Sequence, residues 1–154
     1  MNIKYATLED IETIVSLRTL QLLDEEKQNG TTHQASEDYI NHLRRYLIDQ
    51  FKHDRFTQVF LIENEEIIAT GALNWVDFPP SFTNPSGYLG YITNIYTAVN
   101  HRKKGYAFKI LNLLKDKAQN LGIQTLFLGA SQSGQIVYEK FGFKEIDWYR
   151  YDIE

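Results

Sequence analysis

Apolar positions along the chain recur with two periods, and the switches between them mark the elements. Ile3 to Ala6 reads as a short strand. Thr7 is placed to cap a helix, with Glu9 and Asp10 in its first turn. Ile11, Ile14, Val15, Arg18, Leu22 and Leu23 follow three or four residues apart, so Arg18 is the one charge on an otherwise apolar helix face. The stretch 24–35 is polar and carries the turn signal Asn29-Gly30, which predicts a joint between helices. Ser36 caps a second helix whose apolar face is Tyr39, Leu43, Tyr46, Leu47 and Phe51. Gln58–Glu63 and Ile67–Val76 flank Asn64-Glu65-Glu66 and predict an antiparallel hairpin. Tyr88 to Ala98 is the next strand, and Phe108, Leu111, Leu114, Ala118 and Leu121 predict a helix that Gly122 ends. Gln124–Leu128 is a strand whose β–α–β order favours a parallel neighbour. A short helix from about Gln135 to Phe141 closes at Gly142. Lys144–Trp148 and Tyr149–Ile153 are expected to finish the sheet.

The stretch from Ile92 to Phe108 organises the rest. A β-branched and aromatic run gives way to the basic turn His101-Arg102-Lys103-Lys104, then to Gly105 and a helix. A helix N-terminus presents unpaired N–H groups and partial positive charge. Gly105 lets a ligand approach the backbone closely. These parts suit a phosphate or pyrophosphate; the alternative is a solvated basic turn before a surface helix. No G-x-x-x-x-G-K-[ST] loop and no G-x-G-x-x-G turn occurs anywhere in the chain, so neither nucleotide signature applies.

Composition narrows the class. At 154 residues the expectation is one domain, 1–154. Hydrophobic residues make up 43 % and aromatics 14 %, which is globular rather than disordered composition. Net charge is −4, which argues against a nucleic-acid partner and leaves the basic turn as a local feature suited to a small anion. No apolar run is long enough to span a membrane, and Met1-Asn2-Ile3-Lys4 lacks the layout of a signal peptide. Cysteine is absent, so there is neither a disulfide framework nor a thiolate metal site, and no metal is expected. A cytoplasmic location is the expectation that fits.

Arg102-x-x-Gly105-x-Ala107 resembles the R/Q-x-x-G-x-G/A signature of the GNAT acetyltransferases. Downstream, Tyr138-Glu139-Lys140-Phe141-Gly142-Phe143 is similar to the family's Tyr-Glu-Lys-x-Gly-Phe segment. The likeness covers nearly the whole chain in element order, with the specific motifs confined to 91–108 and 130–143. Val99 and Lys103 depart from the family's usual proline and glycine, and the strand Tyr91–Thr97 lacks the carboxylate that some relatives use as general base. The resemblance implies an α/β fold of GNAT type: a mostly antiparallel central sheet with one splayed parallel pair, flanked by about four helices. It also implies acetyl-CoA as co-substrate and N-acetylation of a small-molecule or peptide amine in a ternary complex. Many relatives pair as dimers, which leaves a homodimer open.

Carried over residue by residue, the resemblance assigns the oxyanion donor to the backbone N–H of Ile95 or its neighbour Tyr96. The pantetheine arm falls along Ile95, Tyr96 and Thr97, and the pyrophosphate on Arg102, Lys103, Lys104, Gly105, Tyr106 and Ala107. Ser131 joins the cofactor set. Tyr138 becomes the donor to the departing thiolate, although the same tyrosine also reads as a packed aromatic on a short helix. An attacking amine must be neutral, and for a base Glu63, Asp77, His33 and water all remain open. Arg18 fits either a substrate carboxylate or a side chain snorkelling to solvent. The acceptor side is expected between the 24–36 and 77–87 loops. The second of these holds all three prolines and reads equally as a rim over a pocket or as a long hairpin connection. Two other classes remain: a catalytically silent acyl-CoA-binding module, and a domain whose basic turn docks a phosphorylated partner.

Overall fold

The computed structural model describes residues 1–153. Five strands form one sheet in the order β1 (Asn2–Tyr5), β2 (Phe56–Glu63), β3 (Glu66–Asp77), β4 (Tyr88–Thr97), β5 (Leu126–Leu128). Neighbours are antiparallel except β4 and β5, which are parallel. The helices are α1 (Ile11–Asn29), α2 (Glu37–Lys52), α3 (Tyr106–Asn120) and α4 (Gln135–Phe141).

Strand β2 shows why the hairpin pattern reads as a near-continuous apolar run: it is buried on both faces. Phe56 and Phe60 point to one face, where Ile11, Ile14 and Val15 of α1 and Leu47 of α2 close a core. Val59 and Leu61 point to the other, against Ile110, Leu111 and Leu114 of α3 and Tyr138 of α4. The alternation of a strand thus feeds two cores at once.

Strand β4 is not regular. Thr70 pairs with Tyr96 and Ala72 with Thr93, so Gly71 alone faces Asn94 and Ile95. This is a β-bulge, and its extra residue lies outside the ladder. Asn94 takes φ 56°, a left-handed value that asparagine tolerates better than most residues. Its amide donates to Gln58 Oε1 at 2.9 Å, Gln58 donates to the Thr70 hydroxyl at 2.8 Å, and that hydroxyl donates to the Val59 carbonyl at 3.0 Å. The buried polar row pins the bulge across three strands. Gly71 is required opposite it, because a Cβ there would lie 2.4 Å from Ile110 Cγ2 and 2.6 Å from Ile95 Cδ1.

Three expectations need correction. The joint between the helices begins at the expected turn and not at residue 24: α1 continues to Asn29, Gly30 ends it at φ 70°, and α2 starts at Glu37. Strand β5 is three residues long rather than five. Residues 144–153 do not enter the sheet. Their alternation permits a strand, but a strand needs an edge to pair with, and β5 offers only three residues. The tail is instead held by rings, with Trp148 5.6 Å from Phe127 and 6.5 Å from Phe78 between centroids.

Candidate active site

The parallel pair β4·β5 is short, running only from Gly90–Leu126 to Ile92–Leu128. Past Ile92, β4 bulges and β5 ends, so the two strands part. A cleft of about 500 Å³ opens in the gap. Its floor is the β4 edge at Ile95, Tyr96 and Thr97; one wall is the basic turn with the start of α3, and the other is α4 with the turn before it.

The α3 end of the cleft is a bare helix start. Gly105 is its N-cap at φ 82°, and Lys103 also takes a left-handed φ of 62°. The helical ladder begins with the Lys109 N–H donating to the Gly105 carbonyl at 3.1 Å, so the N–H groups of Tyr106, Ala107 and Phe108 have no partner within the helix. A Cβ added at Gly105 would meet nothing within 4 Å, which means that this backbone faces open space.

Arg102 is already engaged. Its Nε donates to the Thr97 carbonyl at 3.0 Å and its Nη2 to Asp24 of α1 at 2.8 Å, with the guanidinium carbon 5.9 Å from the Tyr96 ring centroid. The side chain therefore ties the turn to both β4 and α1.

Tyr138 enters from α4. The turn before it is closed by the Gly134 N–H donating to Ser131 Oγ at 3.2 Å. A Cβ on Gly134 would lie 2.7 Å from the Tyr138 ring, so only glycine lets that ring lie across the turn. The tyrosine is 9 % exposed, and burial first, then the negative charge of Glu25, pushes its pKa up to about 12.

Of the residues singled out from the sequence, Ile95, Tyr96, Thr97, Arg102, Lys103, Gly105, Tyr106, Ala107, Ser131 and Tyr138 all line this one cleft. Lys104 does not, and its side chain is exposed. The candidate bases are elsewhere. Asp77 is paired with Arg55 at 2.6 Å, His33 with Glu26 at 2.9 Å, and Glu63 lies 4.0 Å from His101; none of the three lines the cleft. Nor does any residue of the 77–87 loop, which folds on itself through Phe78–Gly87 and Ser81–Asn84 backbone bonds. Of the two readings of 77–87, the long hairpin connection between β3 and β4 is the one seen, and the loop lines neither cavity.

Sequence reasoning places the cleft's fourth side in a 24–36 loop and misses that it is helix α1, beginning already at Gln21. Gln21, Asp24, Glu25 and Gln28 of α1 line it. The signal lies in α1 itself: the face that is apolar at Ile11 and Ile14 turns polar at Arg18, Gln21 and Glu25, one, two and three turns on. That polarity reads as a loop when taken as composition and as a site when taken as a helix face. A second cavity of about 220 Å³ adjoins the cleft; Arg18 lines it, and Gln21, Glu25, Ile95, Ser131 and Tyr138 are common to both. Among the described residues no helix is long and apolar enough to cross a membrane, and no cluster of three or more metal-ligating side chains occurs.

No curated protein sequence matches the chain. Solved structures do. The crystal structure of a predicted acetyltransferase with acetyl-CoA from Clostridium acetobutylicum superposes with a TM-score of 0.91 at 35 % identity, over 98 % of this chain and 95 % of that one. A GCN5-related N-acetyltransferase from Ralstonia eutropha JMP134 gives 0.88 at 20 % identity, over 99 % and 97 %. Glucosamine-6-phosphate N-acetyltransferase from Arabidopsis thaliana gives 0.63 at 21 %, over 98 % and 99 %. The latter two establish the fold alone. The family model for the acetyltransferase (GNAT) family matches residues 17–143, a span that holds the bulged strand, the basic turn and Tyr138, and the chain belongs to that family.

Proposed function

We propose that the chain is an acetyl-CoA-dependent N-acetyltransferase acting on a primary amine. The observation that carries this is the single cleft where three things meet: the free N–H groups of α3, the bulged edge of β4 and Tyr138. In a GNAT chain 35 % identical to a protein crystallised with acetyl-CoA, that cleft suits acetyl-CoA.

The N–H groups from Lys103 to Ala107 would hold the pyrophosphate, with Lys103 adding charge. Ile95, Tyr96 and Thr97 would pair with the pantetheine amides as an added strand does. The bulge sets Asn94 and Ile95 together opposite Gly71 alone, and a backbone N–H of Ile95 left without a ladder partner there would donate to the thioester oxygen as negative charge builds. The acceptor ammonium loses one proton to water in the open cleft. Its lone pair then forms the C–N bond, the C–S bond breaks, and the remaining surplus proton of the nitrogen ends on the sulfur. Tyr138 donates a hydrogen bond to that sulfur during the cleavage. Full proton transfer from a phenol pushed up to about 12 to a thiolate of ordinary pKa about 8.5 is uphill, so the phenol acts as a hydrogen-bond donor. Arg102 contributes by bracing the turn against Asp24 and the Thr97 carbonyl.

Calorimetry and a thiol-release screen over an amine library test this. Wild type should bind acetyl-CoA and release CoA with at least one amine. Gly105→Val should abolish acetyl-CoA binding, because a branched side chain both occupies the open space at the helix start and resists φ 82°. Unchanged affinity in that variant overturns the cofactor assignment. Cofactor binding without thiol release from any amine would mark a silent module.

A further inference from the structure

The second cavity carries a pattern of charge that the transfer chemistry alone does not require. On α1, Arg18 Nη1 donates to Gln21 Oε1 at 3.1 Å, and Gln21 Nε2 donates to Glu25 Oε1 at 2.9 Å. A cation and an anion are thus held on one helix face with an amide between them. All three side chains line the cavity. Seven residues of helix separate the two charges, a rise of about 10 Å between their Cα atoms. The amide bridge draws the charged ends closer than that.

The two charges are not placed alike. Glu25 stands at the junction of the two cavities, together with Ile95, Ser131 and Tyr138. Its charge is felt at the Tyr138 phenol. Arg18 lines the second cavity only. The anion is therefore beside the reacting groups and the cation is at the far end.

We infer that this cavity is the acceptor subsite and that it selects a small zwitterionic amine, an amino acid, whose ammonium meets Glu25 and whose carboxylate meets Arg18. The inference rests on the acetyltransferase reading and adds the substrate class. Charge order fixes orientation: an amine bound this way presents its nitrogen at the junction, next to the bulged edge of β4 and the phenol. Size agrees. A cavity of about 220 Å³ that opens onto the main cleft has room for a small amino acid. Gln21 becomes the spacer that keeps Arg18 and Glu25 from neutralising each other when the site is empty. Arg18 is suited to its part because its planar fork matches a carboxylate with two parallel hydrogen bonds.

The test uses the full chain saturated with CoA, titrated with free amino acids, their methyl esters and the corresponding decarboxylated amines. Free amino acids of small side chain should bind about 10- to 100-fold more tightly than their esters, the factor expected for one charge-assisted contact. Arg18→Gln should erase that preference while acetyl-CoA affinity stays as in wild type, and Arg18→Lys should restore part of it. Glu25→Gln should weaken amino acids and esters alike. Thiol release should follow the same order, with the preference appearing in KM. Esters binding as well as acids to wild type, or an undiminished preference in Arg18→Gln, overturns the inference and leaves the acetyltransferase reading intact. Absence of acetyl-CoA binding in the same titrations overturns that reading instead. The comparison of acid with ester is made on wild type, so it decides the matter even where a variant fails to fold.

Discussion

Tyr138 is the residue on which packing and chemistry make separable demands. Its ring fills the space that Gly134 vacates and joins the α3-side core, while the same side chain lines the cleft. Tyr138→Phe keeps the ring. It should lower kcat by about 10- to 100-fold or more, with acetyl-CoA affinity and melting temperature near wild type at neutral pH. A phenylalanine variant turning over at the wild-type rate, where chemistry limits kcat, would end the donor role. The raised pKa gives a second readout. Folding favours the neutral phenol, so between the unfolded value of about 10 and the folded value of about 12 the unfolded chain binds fewer protons. Stability must therefore fall as pH rises through that window, by about 2–3 kcal/mol once past it. Below pH about 10 the group contributes no pH dependence. The wild-type-minus-phenylalanine difference in urea unfolding free energy should reproduce this fall; a flat difference would place the phenol in water. Lys103 and Lys104 divide in the same way. Lys103→Ala, lining the cleft, should weaken acetyl-CoA by about 0.5–1.5 kcal/mol, whereas Lys104→Ala should have a smaller effect in the same calorimetry.

Elements are legible from the sequence in proportion to how local their determinants are. The strand–turn–helix from Ile92 to Phe108 is readable because β-branched residues, basic turn and Gly105 stand next to one another. The bulge at Asn94 is not. Its causes are Gly71 and Thr70 on the adjacent strand β3 and Gln58 on β2 beyond it, all tens of residues away in sequence. Helix α1 reads short because its last turns are polar on the side that lines the cleft. The tail reads as two strands because its alternation is right and the length of its partner edge is invisible in its own residues. Gly71 makes the bulge testable. Gly71→Ala pushes a methyl into Ile110 and Ile95, and such overpacking costs about 1–3 kcal/mol. Because Ile95 belongs to the cleft floor, the variant should lose melting temperature and acetyl-CoA affinity together. Loss of stability with unchanged affinity would separate the bulge from the site.

The molecule as a whole assembles its cleft from segments far apart in the chain: α1, the end of β4 with the start of α3, and α4. Gln21 and Tyr138 face one space across more than a hundred residues of sequence. A ligand there bridges the two ends of the fold. At a hundredfold excess over Kd it adds about 2.7 kcal/mol of stability, or roughly 5–10 °C in Tm. A thermal shift with CoA smaller than that of a single weak anion such as sulfate would show that the segments do not close on it. The parting of β4 from β5 has one more consequence. From Thr93 onward β4 has no strand on that side, so the backbone that would greet pantetheine is also an unsatisfied sheet edge. Such an edge is a template for any extended chain, including another copy's. The helices α1 and α4 recess it, and the cofactor would complete the shielding. CoA loading would then double as protection against clumping: at equal protein concentration, light scattering on prolonged warming should rise later in the loaded protein than in the empty one.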